Sequence, residues 1–256
     1  MHERVRTGSP GNAAAGATAV SPAALEAALL DQASAPYRRA GRFAYHFARG
    51  KLHGDPIYRA VLERGLLSGR RRVLDLGCGE GLLAAWLRAA RLTYERGGWT
   101  PAWPPPPCPD ELRGIELAAA RLACARAALG AEFELMPGDI RSAAFGSADA
   151  IVIMDVLHYL PAESHREVLE HARAALPERG LLILRVGDAE AGWRFRFSVY
   201  FDQLVLLLRR QGLRALNCRG VGEWRELLRE CGFDSRIEPL SGGGPFANVL
   251  LIAHAR

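Results

Sequence analysis

Lysine is almost missing from this chain. Lys51 is the only one among 33 basic residues in 256, and the others are arginines scattered along the sequence. The net charge of +5 therefore gathers into no lysine-rich stripe of the kind that follows a nucleic-acid backbone. A phosphate-binding G-x-x-x-x-G-K-[ST] loop is excluded as well. Lys51 has Tyr45 where the first glycine belongs and Leu52 after it. Lysine Schiff-base chemistry would fall to Lys51 alone. Cysteine is sparse and odd in number, at 78, 108, 124, 218 and 231 with no C-x-x-C pair. Neither a disulfide framework nor a zinc cluster is expected, and a reducing cytoplasm suits such a chain. Long apolar runs are lacking too. "LVLLL" at 204–208 is far too short to span a bilayer, and Arg4 and Arg6 are followed by small residues rather than a signal-peptide core. His165 and His171 stand six apart, on different faces of a helix, so they make no metal pair and are expected in solvent.

What is present is organisation. Residues 1–20 are poor in large apolar groups and read as a flexible tail. Residues 21–70 read as a helical segment packing on the core. Ser21 and Pro22 open its first helix, and Gly54, Asp55 and Pro56 make a turn before an amphipathic helix ending near Gly65. From residue 71 to 256, strand patterns alternate with helix patterns. The strands are expected at 72–77, 112–117, 132–136, 149–155, 180–188, 235–240 and 248–255, and the helices at about 81–91, 117–129, 162–176, 198–211 and 221–231. That rhythm predicts an α/β fold: a doubly wound, seven-stranded, mostly parallel sheet with a terminal antiparallel hairpin strand. The segment 95–111, "ERGGWTPAWPPPPCPDE", is too rich in proline and glycine for helix or central strand and reads as an inserted surface loop.

The densest signal is "VLDLGCGEG", 73–81. A buried strand end runs into glycines that let backbone approach a ligand closely. A dinucleotide fingerprint would need a small residue at position 82, where Leu82 stands. Asp75 would repel a pyrophosphate but suits a ligand carrying an ammonium or a sulfonium.

This stretch resembles the first motif of the class I S-adenosylmethionine-dependent methyltransferases, D/E-x-G-x-G-x-G, and the resemblance extends over roughly 70–256. It implies a Rossmann-like catalytic domain over 71–256 and S-adenosyl-L-methionine as cofactor. The turn of Asp75, Gly77, Cys78, Gly79 and Gly81 would pass beneath the methionine part. Glu116, with Leu117 beside it in "LRGIEL", would bond the ribose hydroxyls, and Asp139 with Ile140 in "PGDI" would lie near the adenine. Cys78 itself reads as a small filler. "IMDVLHYLP" resembles the fourth-strand motif, near which cofactor methyl and substrate usually meet. It nominates Asp155, His158 and Tyr159 as catalytic candidates, with Asp155 also toward the cofactor. Both a base role and a wall role stay open for His158, and Asp188 is a weaker candidate.

Substrate contacts are expected from the lid and helix at 192–231. There Trp193, Phe195 and Phe197 alternate with Arg194 and Arg196 before an apolar helix at 198–211, which would bury its second face on substrate, on the N-terminal helices or in a homodimer. A fainter similarity, carried by "AGRFAYHFARGKLHGDP" and "RFRFSVYFDQLVLLLRRQG", is to methyltransferases of bacterial fatty-acid and aromatic-polyene pigment biosynthesis, a secondary-metabolism setting. It implies a small aromatic or acyl-type acceptor, or one presented by an acidic acyl carrier protein that docks on the arginines. Two alternatives stand beside it: a nucleic-acid methyltransferase, against which the chain has no N/D-P-P-Y-type motif, and a non-catalytic interaction protein that keeps the fold.

Overall fold

A computed structural model describes residues 20–187, 217–238, 240 and 248–256. The expectations for the tail at 1–19, for Asp188, for Trp193, Arg194, Phe195, Arg196 and Phe197, and for the apolar helix 198–211 lie outside the described residues. Helices α1 (Pro22–Ser34), α2 (Arg42–Gly54) and α3 (Pro56–Glu63) precede strand β1 (Arg72–Leu76). Then follow α4 (Leu82–Glu95), β2 (Glu111–Glu116), α5 (Ala119–Leu129), β3 (Glu134–Pro137), β4 (Ala150–Met154), α6 (Ser164–Ala175), β5 (Leu181–Gly187), α7 (Val221–Glu230), β6 (Phe233–Glu238) and β7 (Asn248–Ala255).

The seven strands form one sheet in the order β3-β2-β1-β4-β5-β7-β6. β1 pairs in parallel with both β2 and β4, and β4 pairs in parallel with β5. β7 runs antiparallel between β5 and β6, which is the terminal hairpin the sequence predicts. The strands buried on both faces are the near-continuous apolar runs: Leu74, Leu76, Ile151, Ile153, Leu182 and Leu184 face one apolar layer, while Val73, Val152 and Ile183 face the other. The chain reverses its winding direction between β1 and β4, and the carboxyl ends of these strands are where an open α/β sheet leaves a crevice.

The helices ahead of β1 close this crevice on one side. Leu25, Leu29, Tyr37, Leu52, Ile57 and Leu62 join the same apolar cluster as Val73, Trp86 and Val152. Ser21 Oγ accepts from Ala24 N at 3.2 Å, capping α1, and the Asp55 carboxylate accepts from Ile57 N at 3.2 Å, capping α3. Tyr37 Oη donates to the Glu80 carbonyl at 2.7 Å, pinning this segment to the glycine turn. The proline-rich insertion is anchored: Trp103 is buried, Trp99 Nε1 donates to the Pro104 carbonyl at 2.9 Å, and the Arg59 guanidinium lies over the Trp103 ring.

One expectation is corrected. His171 is exposed, but His165 is fully buried. Its ring packs on Trp224, its Nε2 bonds the Leu157 carbonyl at 2.8 Å, and Arg219 Nε donates to its Nδ1 at 3.2 Å. Its face of α6 looks onto the sheet, so polar partners rather than water satisfy the ring. No helix among the described residues is long and apolar enough to cross a membrane.

Candidate functional site

The β1–α4 turn is built by its glycines. Gly77, Gly79 and Gly81 all adopt positive φ (+73°, +58° and +74°), a region that costs other residues steric strain. A Cβ on Gly77 would sit 2.3 Å from Val156 Cγ2, and one on Gly81 would sit 2.7 Å from Leu129 Cδ1. Gly79 differs, because a Cβ there would meet no protein atom within 4 Å. It borders a cavity of about 470 Å³ at the carboxyl edge of the sheet.

Sheet order arranges the acids along that cavity. Asp139 follows β3, Glu116 ends β2, Asp75 lies in β1 and Asp155 follows β4, and all four line the same space. Glu116 is buried, with Oε2 accepting from Gly79 N at 3.0 Å and Oε1 accepting from Ala118 N at 2.8 Å. It thus ties the glycine turn to the start of α5 and keeps lone pairs for a ligand. Asp139 is held by Arg141, whose Nε donates to both carboxylate oxygens at 3.0 Å. Hydrogen bonds from Arg141, its backbone N–H included, lower the Asp139 pKa against partial burial. Leu117 is exposed at the mouth, Ile140 is buried in the wall, and Cys78 is buried with its thiol pushed up by burial and by the Asp75 and Glu116 charges, an inert lining group.

Asp75 is the informative acid. It is only 4% exposed, and burial followed by the Glu116 charge raises its pKa from 3.8 to about 7. Neither a cation nor a hydrogen bond among the described residues offsets that cost. A buried carboxylate of this kind is satisfied by a positively charged ligand, and the open face of Gly79 leaves room for one. Asp75, Glu116 and Asp139 therefore fit a cationic adenosyl ligand; they would hold its charged end, its ribose and its base in that order along the sheet.

Beyond Asp75 on the β4 side lies an ionic cluster that sequence reasoning missed. In the β4–β5 register Met154 faces Arg185, which brings the next residue, Asp155, beside the guanidinium. Arg185 Nε donates to Asp155 Oδ1 at 2.8 Å, and its terminal nitrogens bond Asp155 Oδ2 and Asp55 Oδ1. Lys51 Nζ bridges the same two acids, 2.8 Å from Asp55 Oδ2 and 3.2 Å from Asp155 Oδ2. Burial works against ionisation of Asp155, but Arg185 and Lys51 prevail and hold it well below the usual carboxylate range. Burial also opposes the Lys51 charge, yet the Asp155 and Asp55 carboxylates leave its pKa raised. Asp155 itself has a φ of +56°, unusual outside glycine. The available signal was Arg185, a lone charge in an otherwise apolar strand, "LLILRVG".

The fourth-strand candidates separate. Tyr159 lines the cavity with Leu160. His158 is buried in the 3-10 turn Leu157–Tyr159, its ring 4.1 Å from the Tyr159 ring, and its Nε2 has no hydrogen-bond partner among the described residues. It stands behind the cavity wall. Burial first, opposed by the Asp155 charge and aided by Arg185 and Lys51, lowers its pKa from 6.5 to about 4. Phe47 and Tyr58, also unmarked in the sequence, close the N-terminal side.

A family model described as a methyltransferase domain matches residues 42–236. Carboxy-S-adenosyl-L-methionine synthase of Chromohalobacter salexigens is 35% identical over 129 residues, covering 48% of this chain and 42% of that protein. Human N-acetylserotonin methyltransferase in complex with SAM superposes with a TM-score of 0.56 at 16% identity, over 88% of this chain and 59% of that one. Magnesium protoporphyrin IX methyltransferase of Synechocystis with bound SAH gives 0.54 at 18% identity, over 92% and 100%. At these identities the structural likeness is one of fold. The chain spans less than half the length of the curated relative and about three fifths of the human enzyme.

Proposed function

The chain belongs to the methyltransferase domain family, and we propose that it is an S-adenosylmethionine-dependent methyltransferase acting on a small aromatic or acyl-type acceptor. The observation that supports this most is the row of Asp139, Glu116 and Asp75 along one cavity, with Asp75 buried and uncompensated by any described residue beside the open face of Gly79. When bound, the cofactor supplies an activated methyl group for in-line displacement and leaves as S-adenosylhomocysteine. The protein's part is alignment and exclusion of water. Glu116 and the glycine turn fix one end, Asp75 balances the positive charge, and Tyr159, Leu160 and Phe47 close the region beside Asp155 where an acceptor would enter.

The acceptor class rests on those apolar walls and on the aromatic and arginine-rich sequence at 192–212. Presentation by an acyl carrier protein rests on that sequence alone. The test is methyl transfer: the protein is incubated with methyl-labelled cofactor and a panel of phenols, aromatic acids and fatty acids, free and carrier-bound. Label in an organic product supports the reading. Cofactor binding without transfer to any member would refute the acceptor class.

A further inference from the structure

The cavity carries a cation at the end where the acceptor would enter. Sheet order runs from Asp139 through Glu116 and Asp75 to Asp155 and Arg185, so the cluster around Asp155 lies beyond the three acids that suit the cofactor. Lys51 enters this end from α2. Its ammonium has three hydrogens; it donates to Asp155 and lies 2.8 Å from Asp55 Oδ2, so the two acids occupy at most two of them. Its side chain keeps 35% exposure and borders the cavity, and no other described residue accepts its third N–H, which is thus available to a ligand. Each of the three Arg185 nitrogens already donates to one of the two acids, and its side chain is only 2% exposed.

Among the described residues, the same end holds no group set to remove a proton. Asp155 has both oxygens engaged by cations, and His158 lies behind the wall with its Nε2 enclosed. Tyr58 is buried and, by burial first and then the Asp55 charge, has its pKa raised well above 10. Among the described residues a neutral hydroxyl would thus find a cation and no base, whereas an oxygen that is already anionic needs only the cation. α2 adds an apolar approach: Phe43, Phe47 and Lys51 are spaced four apart on one helix face, and the Phe43 and Phe47 rings stack 6.4 Å apart.

We propose that Lys51 is the acceptor-recognition residue, its third N–H binding the carboxylate of an acid whose apolar body lies along Phe47 and Phe43. The assignment rests on the methyltransferase reading above and narrows its acceptor to carboxylic acids. In the reaction a carboxylate oxygen supplies the electron pair of the new O–CH3 bond while the methyl–sulfur bond breaks and its pair returns to sulfur. A carboxylate and a sulfonium become a neutral ester and a neutral thioether, so no proton moves and no co-reactant is needed.

The test is calorimetric titration of the whole chain, saturated with S-adenosylhomocysteine, with two isosteric pairs: octanoate against octanamide and benzoate against benzamide. The wild type is expected to favour at least one carboxylate over its amide by roughly tenfold, as a charge-assisted bond requires. Lys51→Met is expected to abolish that preference and Lys51→Arg to restore part of it, with S-adenosylhomocysteine affinity retained in both as proof of folding. Absence of carboxylate preference in the wild type, or its survival in Lys51→Met, overturns the assignment. Failure of the wild type to bind S-adenosylhomocysteine would instead refute the methyltransferase reading beneath it.

Discussion

Arg185 Nε donates to Asp155 Oδ1 at 2.8 Å from the interior of a strand whose other residues are all uncharged. The guanidinium also holds Asp55, the residue that caps α3, so one buried cation joins β5, the β4 end and the N-terminal helices. Arg185→Met removes the charge and leaves the buried Asp55 and the half-buried Asp155 with Lys51 alone. Breaking a buried network from one side costs about 3–5 kcal/mol. Urea unfolding should show a loss of that order, and adding Asp55→Asn to Arg185→Met should recover part of it. A loss indistinguishable from that of a surface substitution would mean the network carries no stability.

Asp75 should make both stability and cofactor affinity depend on pH. Its pKa is raised from 3.8 to about 7, chiefly by burial, so the folded protein binds more protons than the unfolded chain across that window. Stability from this group is complete below about pH 4 and is lost as pH rises to about 7. A cationic ligand favours the ionised carboxylate, so affinity for S-adenosylmethionine should rise with pH up to about 7, by no more than about tenfold per unit. Asp75→Asn should flatten both trends. Parallel pH profiles in the two proteins would place the effect elsewhere.

His158 acts in the opposite direction. Its pKa is lowered from 6.5 to about 4, first by burial, so the folded state resists taking the proton. Stability from the neutral ring is complete above about pH 6.5 and is lost as pH falls through about 4. Between pH 7 and 5 the loss is on the order of 1–2 kcal/mol at about 1.4 kcal/mol per pH unit. Denaturant midpoints for wild type and His158→Gln should converge as the pH is lowered. A gap that stays constant would mean that His158 titrates normally.

The glycine turn separates stability from binding. Gly77→Ala and Gly79→Ala both place a side chain at positive φ, costing roughly 1–2 kcal/mol. Gly77→Ala adds a collision with Val156, whereas the Cβ of Gly79→Ala meets no protein atom. Thermal unfolding should therefore penalise Gly77→Ala more, and Gly79→Ala should fold and lose cofactor affinity through the space its methyl takes at the cavity edge. Equal melting temperatures for the two would contradict this geometry.

The sheet was legible because strands buried on both faces must be continuous apolar runs, and because the helices between them carry clear stops such as Gly130. The glycine turn and Asp75 were legible for a local reason: strand, turn and carboxylate lie within nine residues, 73–81. The Lys51–Asp55–Arg185–Asp155 cluster was not. Arg185 and Asp55 are 130 positions apart, and only the β4–β5 register and the docking of α2 and α3 bring them together. His165 was misjudged because its helix shows the sheet a face that includes a histidine, and its partners Leu157 and Arg219 lie on separate segments.

The most direct test of the account is calorimetric titration of the purified chain with S-adenosylmethionine, with NAD as control and Asp75→Asn and Glu116→Ala alongside. The account predicts saturable binding to the wild type, none of NAD, and at least tenfold weaker binding in each variant, since each loses a buried charged contact. Absence of binding to the wild type, or unchanged affinity in both variants, would contradict it.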